Sequence, residues 1–259
     1  MPLTADQNAT IEKTIQDNIR AKLNHYNPET KQMPFHYRLL GRDRMALFSF
    51  IHSLNTTFMT SIFEPVAAQL AKTRFSDVQT HAFIGKTISV AAQMEIQKIM
   101  DELTNEGNPN KALEIERMRK VCQTQPMTTT RTIRVDLYLQ NGNGVLYLFD
   151  LKTVKPNIGD FKTFKRTLLE WIAIVLAQKP ETEVHSFIAI PYNPYEPRPC
   201  ERWTLRGMLD LDDELRVGEE FWDFLGGKGA YQDLMDCFQN AGIALRPELD
   251  AFFERFNHL

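Results

Sequence analysis

Three charged residues, Asp136, Asp150 and Lys152, are spaced so that they could act together on one substrate. They lie in two segments rich in Val, Ile, Leu, Tyr and Phe, residues 131–140 and 145–153, which are joined by Asn-Gly-Asn-Gly. Two such segments around an Asn-Gly turn are typical of a β-hairpin. Two adjacent carboxylates can share a hard divalent cation such as Mg2+, and a neighbouring ammonium group can offset negative charge on a phosphate. The pattern therefore favours metal-assisted hydrolysis of a phosphodiester.

The register of this hairpin decides whether the three side chains meet. Side chains alternate between the two faces of a strand, and the odd-numbered positions of both segments are apolar: Ile133, Val135, Leu137, Leu139, Val145, Tyr147, Phe149 and Leu151. We predict that this face packs on the core and that the two aspartates and the lysine share the opposite face. A turn that pivots on Asn143 places Asp136 directly opposite Asp150, with Cβ atoms about 5 Å apart. A pivot on Gly142 makes them diagonal neighbours, and an even-numbered loop would separate them, so we expect an odd loop or a bulge.

The segment after the hairpin, residues 153–180, predicts a loop and then a long helix. Asp160 is a suitable N-cap for this helix. Its first two turns carry several cations on one face, which opposes the helix dipole unless an anion binds there. We therefore predict phosphate contacts for Lys162, Lys165 and Arg166, and we include Lys155 and Asn157 of the preceding loop among the predicted DNA-binding residues. An ordinary solvated helix face is the alternative interpretation of these cations.

An apolar stretch at 183–194 predicts a buried strand after the helix, and strand, helix, strand indicates a crossover on a mixed sheet. The predicted fold class is α/β (α+β), with a mixed central sheet flanked by helices and a helical N-terminal elaboration. Ile11, Ile15, Ile19 and Leu23 share one face of a predicted helix at 8–25. Further helices are predicted at 42–75, 86–105, 110–122, 218–239 and 246–257. We expect one domain over 1–259, divided into a mostly helical part (1–125), the αβ core (126–200) and a helical C-terminal part (201–259).

The hairpin with Asp136 and Asp150-x-Lys152, followed by a crossover helix, resembles the PD-(D/E)xK nuclease core. Val135 stands where that motif has its proline. Longer strings resemble the TdeIII-type family of type II restriction endonucleases: FDLKTVKPN (149–157), FKRTLLEW (164–171), IPYNPYEP (190–197) and EEFWDFLGGKGAYQDLMDCF (219–238). The resemblance extends from about residue 40 to the C-terminus.

This resemblance implies a type II restriction endonuclease with a PD-(D/E)xK core, which cuts both strands of double-stranded DNA at a short palindromic site. Asp136 and Asp150 would hold Mg2+, and Lys152 would stabilise charge at the scissile phosphate. A symmetric site implies a homodimer, and restriction implies a cognate DNA methyltransferase as functional partner. Neither the recognition sequence nor the cut position follows from these motifs.

PD-(D/E)xK enzymes often take a further acidic residue from an upstream helix. Glu64 is the only acid between Asp43 and Asp77, and it lies in the apolar string SIFEPVAAQLA. A carboxylate among apolar residues requires a partner or a metal, so we predict that Glu64 is the additional catalytic acid. Glu95 and Glu116 are the rivals, and both lie on predicted helices with many other charges.

The net charge of −3 is unevenly distributed along the chain. Residues 111–166 contain eleven Lys and Arg against five Asp and Glu, whereas residues 207–236 contain two against nine. The basic part coincides with the predicted site, as contact with DNA requires. Arg131 and Arg134 on the first hairpin strand are predicted DNA contacts. Candidates for reading bases are Arg117, Arg119, Arg131, Arg134, Asn193 and Arg198.

The remaining composition excludes several other classes of site. Three widely spaced cysteines, Cys122, Cys200 and Cys237, suggest neither a disulfide framework nor a zinc cluster, and they fit a reduced, cytoplasmic setting. The six histidines form no metal-binding motif, which argues against zinc hydrolases and against nucleases with histidine-bound metal. No phosphate-binding P-loop is present in the sequence.

Three hypotheses therefore stand. The first is a restriction endonuclease, the second is a PD-(D/E)xK repair or junction nuclease that cuts by DNA shape, and the third is a DNA-binding module without catalysis. The intact acid–acid–lysine set argues against the third hypothesis.

Overall fold

A computed structural model of the chain describes residues 3–29, 33–152, 160–193, 195–198 and 207–256, without the side chains of 106 and 131–133. The helices are α1 (Ala5–His25), α2 (Pro34–Leu40), α3 (Arg42–Thr57), α4 (Glu64–Ala71), α5 (Val90–Glu106), α6 (Lys111–Val121), α7 (Asp160–Gln178), α8 (Glu219–Gly226) and α9 (Ala230–Glu254), with a π-helical segment at Phe58–Phe63. The strands are β1 (Asp77–Ser89), β2 (Met127–Gln140), β3 (Leu146–Leu151), β4 (Val184–Ile190) and β5 (Leu215–Val217).

The chain divides into two compact units, Met1–Val66 with Gly226–Leu259, and Ala67–Leu225. The mixed α/β fold class is confirmed, while the single nuclease domain over 1–259 stays a prediction. No helix in the described ranges is long and apolar enough to cross a membrane.

The first unit is helical, and its core follows the predicted apolar face of α1. The four residues of that face, Ile11, Ile15, Ile19 and Leu23, are all buried. Thr4 caps the helix in a capping box with Gln7, which satisfies free backbone N–H groups at the helix start. The Phe50 ring of α3 packs against Phe252 and Phe253 of α9, at 5.3 Å between ring centroids in each case.

Two prolines, Pro65 and Pro247, lie within helical segments, although proline usually ends a helix. The π-helical segment ends two residues before Pro65. In a regular α-helix the proline ring would clash with the carbonyl group four residues earlier, and the wider π-helical turn relieves this clash. Helix α9 continues through Pro247, so the separate helices predicted at 218–239 and 246–257 are wrong. The break lies at Gly227 and Gly229, which have φ of 96° and 94°. Buried residues on both sides of Pro247, among them Leu245 and Phe252, hold α9 together.

The second unit is built on a five-stranded mixed sheet in the order β1-β2-β3-β4-β5, counted over the described ranges. The pairs β1–β2 and β2–β3 are antiparallel, whereas β3–β4 and β4–β5 are parallel. Helix α7 connects β3 to β4, as the crossover prediction required. Strand β1 was not predicted, and residues 86–89, expected to be helical, belong to it. The helix starts only after Ser89, whose hydroxyl accepts a hydrogen bond from Ala92 N at 2.8 Å.

Both faces of the sheet are covered, which leaves β3 in the centre of the unit. Leu146 and Leu148 of β3 are buried in one apolar cluster with Leu168 and Ile172 of α7. On the other face the Phe149 ring stacks on Phe187 at 5.0 Å and contacts Phe221 and Phe224 of α8. The central position of β3 therefore limits the access of water to the residues at its end.

Candidate active site

Asp136 and Asp150 meet across the β2–β3 pair. The ladder joins Leu137 to Phe149 and Gln140 to Leu146, so its register continues with Asp136 opposite Asp150. This is the register predicted for a pivot on Asn143. The Leu151 N–H donates a hydrogen bond to Asp136 Oδ2 at 2.8 Å, which holds the carboxylate of β2 against the end of β3.

Lys152 completes the group at the end of β3. Its ammonium donates to Asp150 Oδ1 at 2.5 Å and lies 5.2 Å from the centre of the Phe164 ring on α7. Its backbone N–H donates to Ala189 O of β4 at 2.8 Å, which fixes the residue at the sheet edge. One third of the side chain is exposed, so a phosphate can approach the ammonium group from solvent.

The environment of Asp150 disfavours its charged form. Only 8% of the residue is exposed. Burial, opposed by the Lys152 ammonium and reinforced by the nearby Asp136 carboxylate, raises the pKa of Asp150 from 3.8 to about 6. Two carboxylates at hydrogen-bonding range in a poorly hydrated site form a donor set that a hard divalent cation fits, because the cation removes their repulsion.

Asp136 also has a neighbour on its other side that the sequence analysis did not single out. A ring nitrogen of His81, on β1, lies within 4.8 Å of a carboxylate oxygen of Asp136. His81 has φ of 51°, a left-handed conformation that is rare for a residue other than Gly. This histidine belongs to no spacing motif, and strand β1, which carries it, was not predicted. The β-branched and aromatic residues of β1 were a weak signal for a strand and gave no indication of a ligand.

Glu64, the predicted additional acid, is the first residue of α4 and is 3% exposed. It belongs to the first compact unit, and its catalytic role stays a prediction. Both rivals pair with arginine side chains. The side chain of Glu95 is only 15% exposed, whereas Glu116 lies on an exposed face of α6. Glu95 accepts from Arg117 at 2.7 Å, and Glu116 lies 3.6 Å from Arg119.

The predicted DNA-binding residues separate into three groups. Lys155 and Asn157 lie outside the described residues, as does the side chain of Arg131. Lys162 and Arg134 are exposed and available to an external anion. A third group is engaged within the protein: Arg166 donates to Gln97 Oε1 at 2.5 Å, and Lys165 is buried.

The prediction that Lys165 contacts phosphate is wrong, because its side chain is 0% exposed and forms internal ion pairs. The ammonium lies 2.6 Å from Glu114 Oε2 on α6 and 2.6 Å from Glu214 Oε2 next to β5. Lys111 forms a further ion pair with Glu214 at 2.5 Å. Two lysines and two glutamates thus form an electroneutral buried quartet, which connects α6, α7 and the sheet.

The quartet is a strongly perturbed electrostatic environment. Burial raises the pKa of Glu114 and lowers the pKa of Lys111. Burial alone would also raise the pKa of Glu214, but the adjacent Lys111 and Lys165 ammonium groups hold it below its ordinary value. Charges buried in this way are stable only as a complete set, since one unpaired member would remain dehydrated.

Most candidates for reading bases also have internal partners. Arg117 donates to Glu95 and Glu102, and these hydrogen bonds raise the pKa of its guanidinium group. Arg119 donates to Thr182 O at 3.1 Å. The Asn193 side-chain Nδ2 donates a hydrogen bond to Arg198 O, and its Oδ1 accepts one from Tyr195 N–H. Arg134 and Arg198 are the candidates whose described side chains remain exposed.

Comparison with known proteins identifies similar chains. The family model described as "Type II restriction endonuclease, HinfI" matches residues 3–242. The type II restriction enzyme HgiEI of Herpetosiphon aurantiacus is 26% identical over 226 residues, which cover 83% of this chain and 79% of the relative. The type II restriction enzyme MjaII of Methanocaldococcus jannaschii is 26% identical over 260 residues, which cover 88% of this chain and 68% of the relative.

The raised pKa of Asp150 predicts that the metal-free protein is stabilised by Asp150→Asn. A carboxyl group whose pKa rises on folding favours the folded state only while protonated. The wild type should therefore lose stability relative to the variant as the pH rises from 3.8 to about 6. Above that range we expect a difference on the order of 1–3 kcal/mol in the free energy of unfolding, measured with urea in EDTA.

Asp213→Asn is the matched control, because Asp213 is an exposed carboxylate of the same unit. The control removes an exposed charge and should change the free energy of unfolding by less than about 0.5 kcal/mol. An Asp150→Asn variant no more stable than wild type at pH 7 would contradict the unfavourable environment inferred for Asp150.

The buried quartet predicts different effects for two lysines that are three residues apart on α7. Lys165→Met leaves two buried glutamates with one cation, and we expect a loss of about 3–5 kcal/mol in the free energy of unfolding. Lys162→Met removes an exposed charge and should change stability by less than about 0.5 kcal/mol. Chemical denaturation monitored by tryptophan fluorescence measures both changes.

Adding Glu114→Gln to Lys165→Met restores neutrality and should recover part of the lost stability. DNA binding should show the opposite order: Lys162→Met should reduce the salt dependence of binding by about one unit of slope, whereas a folded Lys165→Met/Glu114→Gln variant should keep the wild-type slope. Equal stability of the two single variants would contradict the role of the quartet.

Proposed function

Because the chain belongs to the HinfI family of type II restriction endonucleases, we propose that Asp136, Asp150 and Lys152 form the centre at which it hydrolyses DNA in the presence of Mg2+. The resemblance to restriction endonucleases that the sequence showed is confirmed, although the matching family is HinfI and the strings resembled the TdeIII-type family. The family match favours site-specific cleavage over the repair nuclease and the binding module. The observation that carries the assignment is the juxtaposition of two carboxylates and an ammonium group at the end of β3.

Each residue of this centre has a distinct role in the proposed reaction. Asp136 and Asp150 would hold the cation. A bound cation would supply a lower pKa for a coordinated water molecule and positive charge beside the phosphate. Lys152 approaches the scissile phosphate and stabilises the charge that develops in the transition state. The ion pair with Asp150 keeps this ammonium in position before DNA arrives.

Glu64 remains our candidate for an additional acid. It is almost completely buried, and a buried carboxylate requires compensation by a partner or a cation. We propose that Glu64 helps to organise the catalytic centre. Glu64→Gln should therefore reduce cleavage more than Glu116→Gln, which changes an exposed glutamate.

The surfaces proposed to contact DNA are those that remain exposed. Lys162 at the start of α7 and Arg134, two residues before Asp136 on β2, are exposed cations, and we propose that they contact the DNA backbone. Lys155, Asn157 and Arg131 stay proposals from the sequence. We further propose that a cognate methyltransferase protects the host's own sites and that the enzyme acts in the cytoplasm, where that DNA lies.

Cleavage of both strands at a palindromic site requires two catalytic centres, and each chain provides one. We propose a homodimer formed through the first unit, where large apolar side chains are exposed along α2 and α3: Phe35, Leu39, Leu40, Leu47, Phe48 and Ile51. Several large apolar side chains exposed on two consecutive helices favour an interaction site, and a second copy of the chain is the partner that symmetric cleavage demands.

Digestion of a sequenced plasmid tests the proposed activity. The wild type with Mg2+ should give discrete fragments whose ends share one short symmetric sequence, and EDTA should abolish cleavage. Asp150→Ala and Lys152→Ala should each lower the cleavage rate by at least about 100-fold while leaving DNA binding largely intact. The first removes a ligand of the cation, and the second removes the ammonium group that stabilises charge in the transition state.

Asp213→Ala is the control and should cut like the wild type. Nicks without a shared sequence would indicate a structure-selective nuclease, and wild-type rates for Asp150→Ala would refute the assigned centre.

Sedimentation equilibrium tests the proposed dimer. We expect the wild type to sediment as a dimer and Leu39→Glu to shift toward the monomer, because Leu39 is 82% exposed within the apolar surface. Met94→Glu, at a residue that is 60% exposed on α5, should leave the dimer unchanged. A monomeric wild type would contradict the dimer, and a dimer that survives Leu39→Glu would place the interface on another surface.

A further inference from the structure

We propose that His81 provides an imidazole nitrogen as a ligand to the divalent cation bound by Asp136, so that the site contains both nitrogen and oxygen donors. This inference rests on the proposed function, because it assumes that Asp136 binds the catalytic cation. It assigns a role to a residue outside the acid–acid–lysine set.

The pairing of β1 with β2 places His81 beside Asp136. Thr80 pairs with Leu137 and Ala82 pairs with Val135, so His81 is opposite Asp136 in the ladder. Residues directly opposite each other on antiparallel strands carry neighbouring side chains. The distance agrees, since a ring nitrogen of His81 and a carboxylate oxygen of Asp136 lie within 4.8 Å of each other. Two ligand atoms at this separation can bind one cation between them.

The backbone of His81 gives an independent reason to infer a function. Among the described residues other than Gly, His81 is the one with positive φ, at 51°. This conformation costs on the order of 1–3 kcal/mol when no special interaction favours it, and such residues concentrate at functional sites. Burial does not explain it, because the residue is exposed. The strained backbone occurs at the one position of β1 that is opposite Asp136, where it sets the direction of the imidazole ring.

The mixed donor set changes which cations the site prefers. Oxygen donors alone suit Mg2+ and Ca2+, whereas imidazole favours later transition metals, and Mn2+ accepts both kinds of ligand. We therefore infer that the site binds Mn2+ more tightly than Mg2+ and that His81 contributes most of the difference. The flanking strand β1 would then determine the metal selectivity of the site.

Electron paramagnetic resonance of the Mn2+-loaded protein tests this inference directly. A nitrogen bound to Mn2+ produces 14N modulation of the electron spin echo, which carboxylate and water ligands do not. The wild type should show this modulation, and His81→Asn should lose it and bind Mn2+ roughly tenfold more weakly or worse. Asn tolerates positive φ, as does Gly, so His81→Asn and His81→Gly should both keep the local fold.

Two controls assign the signal. His185→Asn, which changes a histidine on β4 that stacks on Tyr147, should keep the 14N modulation. Asp136→Asn should lose Mn2+ binding altogether, which shows that the ion occupies the catalytic centre. Mg2+ affinity, measured by competition with Mn2+, should change much less in His81→Asn than Mn2+ affinity does.

The outcomes separate this inference from the proposed function. Mn2+ that binds in an Asp136-dependent manner without 14N modulation would refute the role of His81 and leave the nuclease assignment intact. The same modulation in His81→Asn would also refute it. Absence of any Asp136-dependent Mn2+ binding would overturn the inference, and Mg2+-dependent plasmid cleavage would then decide separately whether the nuclease assignment survives.

Discussion

The proposed chemistry depends on the repulsion between two carboxylates that the β2–β3 register forces together. The hairpin leaves Asp136 and Asp150 little freedom to separate, because Leu151 N–H holds one carboxylate and the central position of β3 encloses the other. The repulsion and the loss of hydration both favour an added cation. Lys152 supplies part of the compensation within the protein, and its position at the sheet edge leaves it able to contact a phosphate as well. The same unfavourable interaction thus favours a bound cation and holds the Lys152 ammonium group where the proposed reaction would use it.

The framework that supports this site uses charge in a different way. The quartet of Lys111, Glu114, Lys165 and Glu214 is neutral and buried, and it connects α6 and α7 to the segment before β5. Two lysines that are three residues apart on α7 therefore differ in role. Lys165 is buried in the quartet, whereas Lys162 faces solvent. The internal ion pairs also reduce the basic character counted along residues 111–166. The surface near the proposed catalytic centre is less positive than the sequence suggests.

The β2–β3 hairpin could be predicted from the sequence because it depends on local features. Alternation along two short strands and the length of one turn determine that Asp136 is opposite Asp150, and these features are visible within twenty-two residues (131–152). The role of Lys165 could not be predicted in this way. Whether a lysine on a helix faces solvent depends on what packs against it, and its partners Glu114 and Glu214 lie 51 and 49 residues away. His81 was missed for the same reason, because its neighbour is defined only by the pairing of β1 with β2.

Two features that reduce the stability of the fold coincide at one point of the sheet. Asp150 is ionised against the preference of its environment, and His81 adopts a backbone conformation that few side chains accept. Asp150 on β3 and His81 on β1 lie on either side of Asp136, which is on the strand between them, β2. A bound cation would offset the carboxylate repulsion and, with His81 as a ligand, the backbone strain. The metal-free protein should then be less stable than its strands and helices suggest, with the difference concentrated around Asp136.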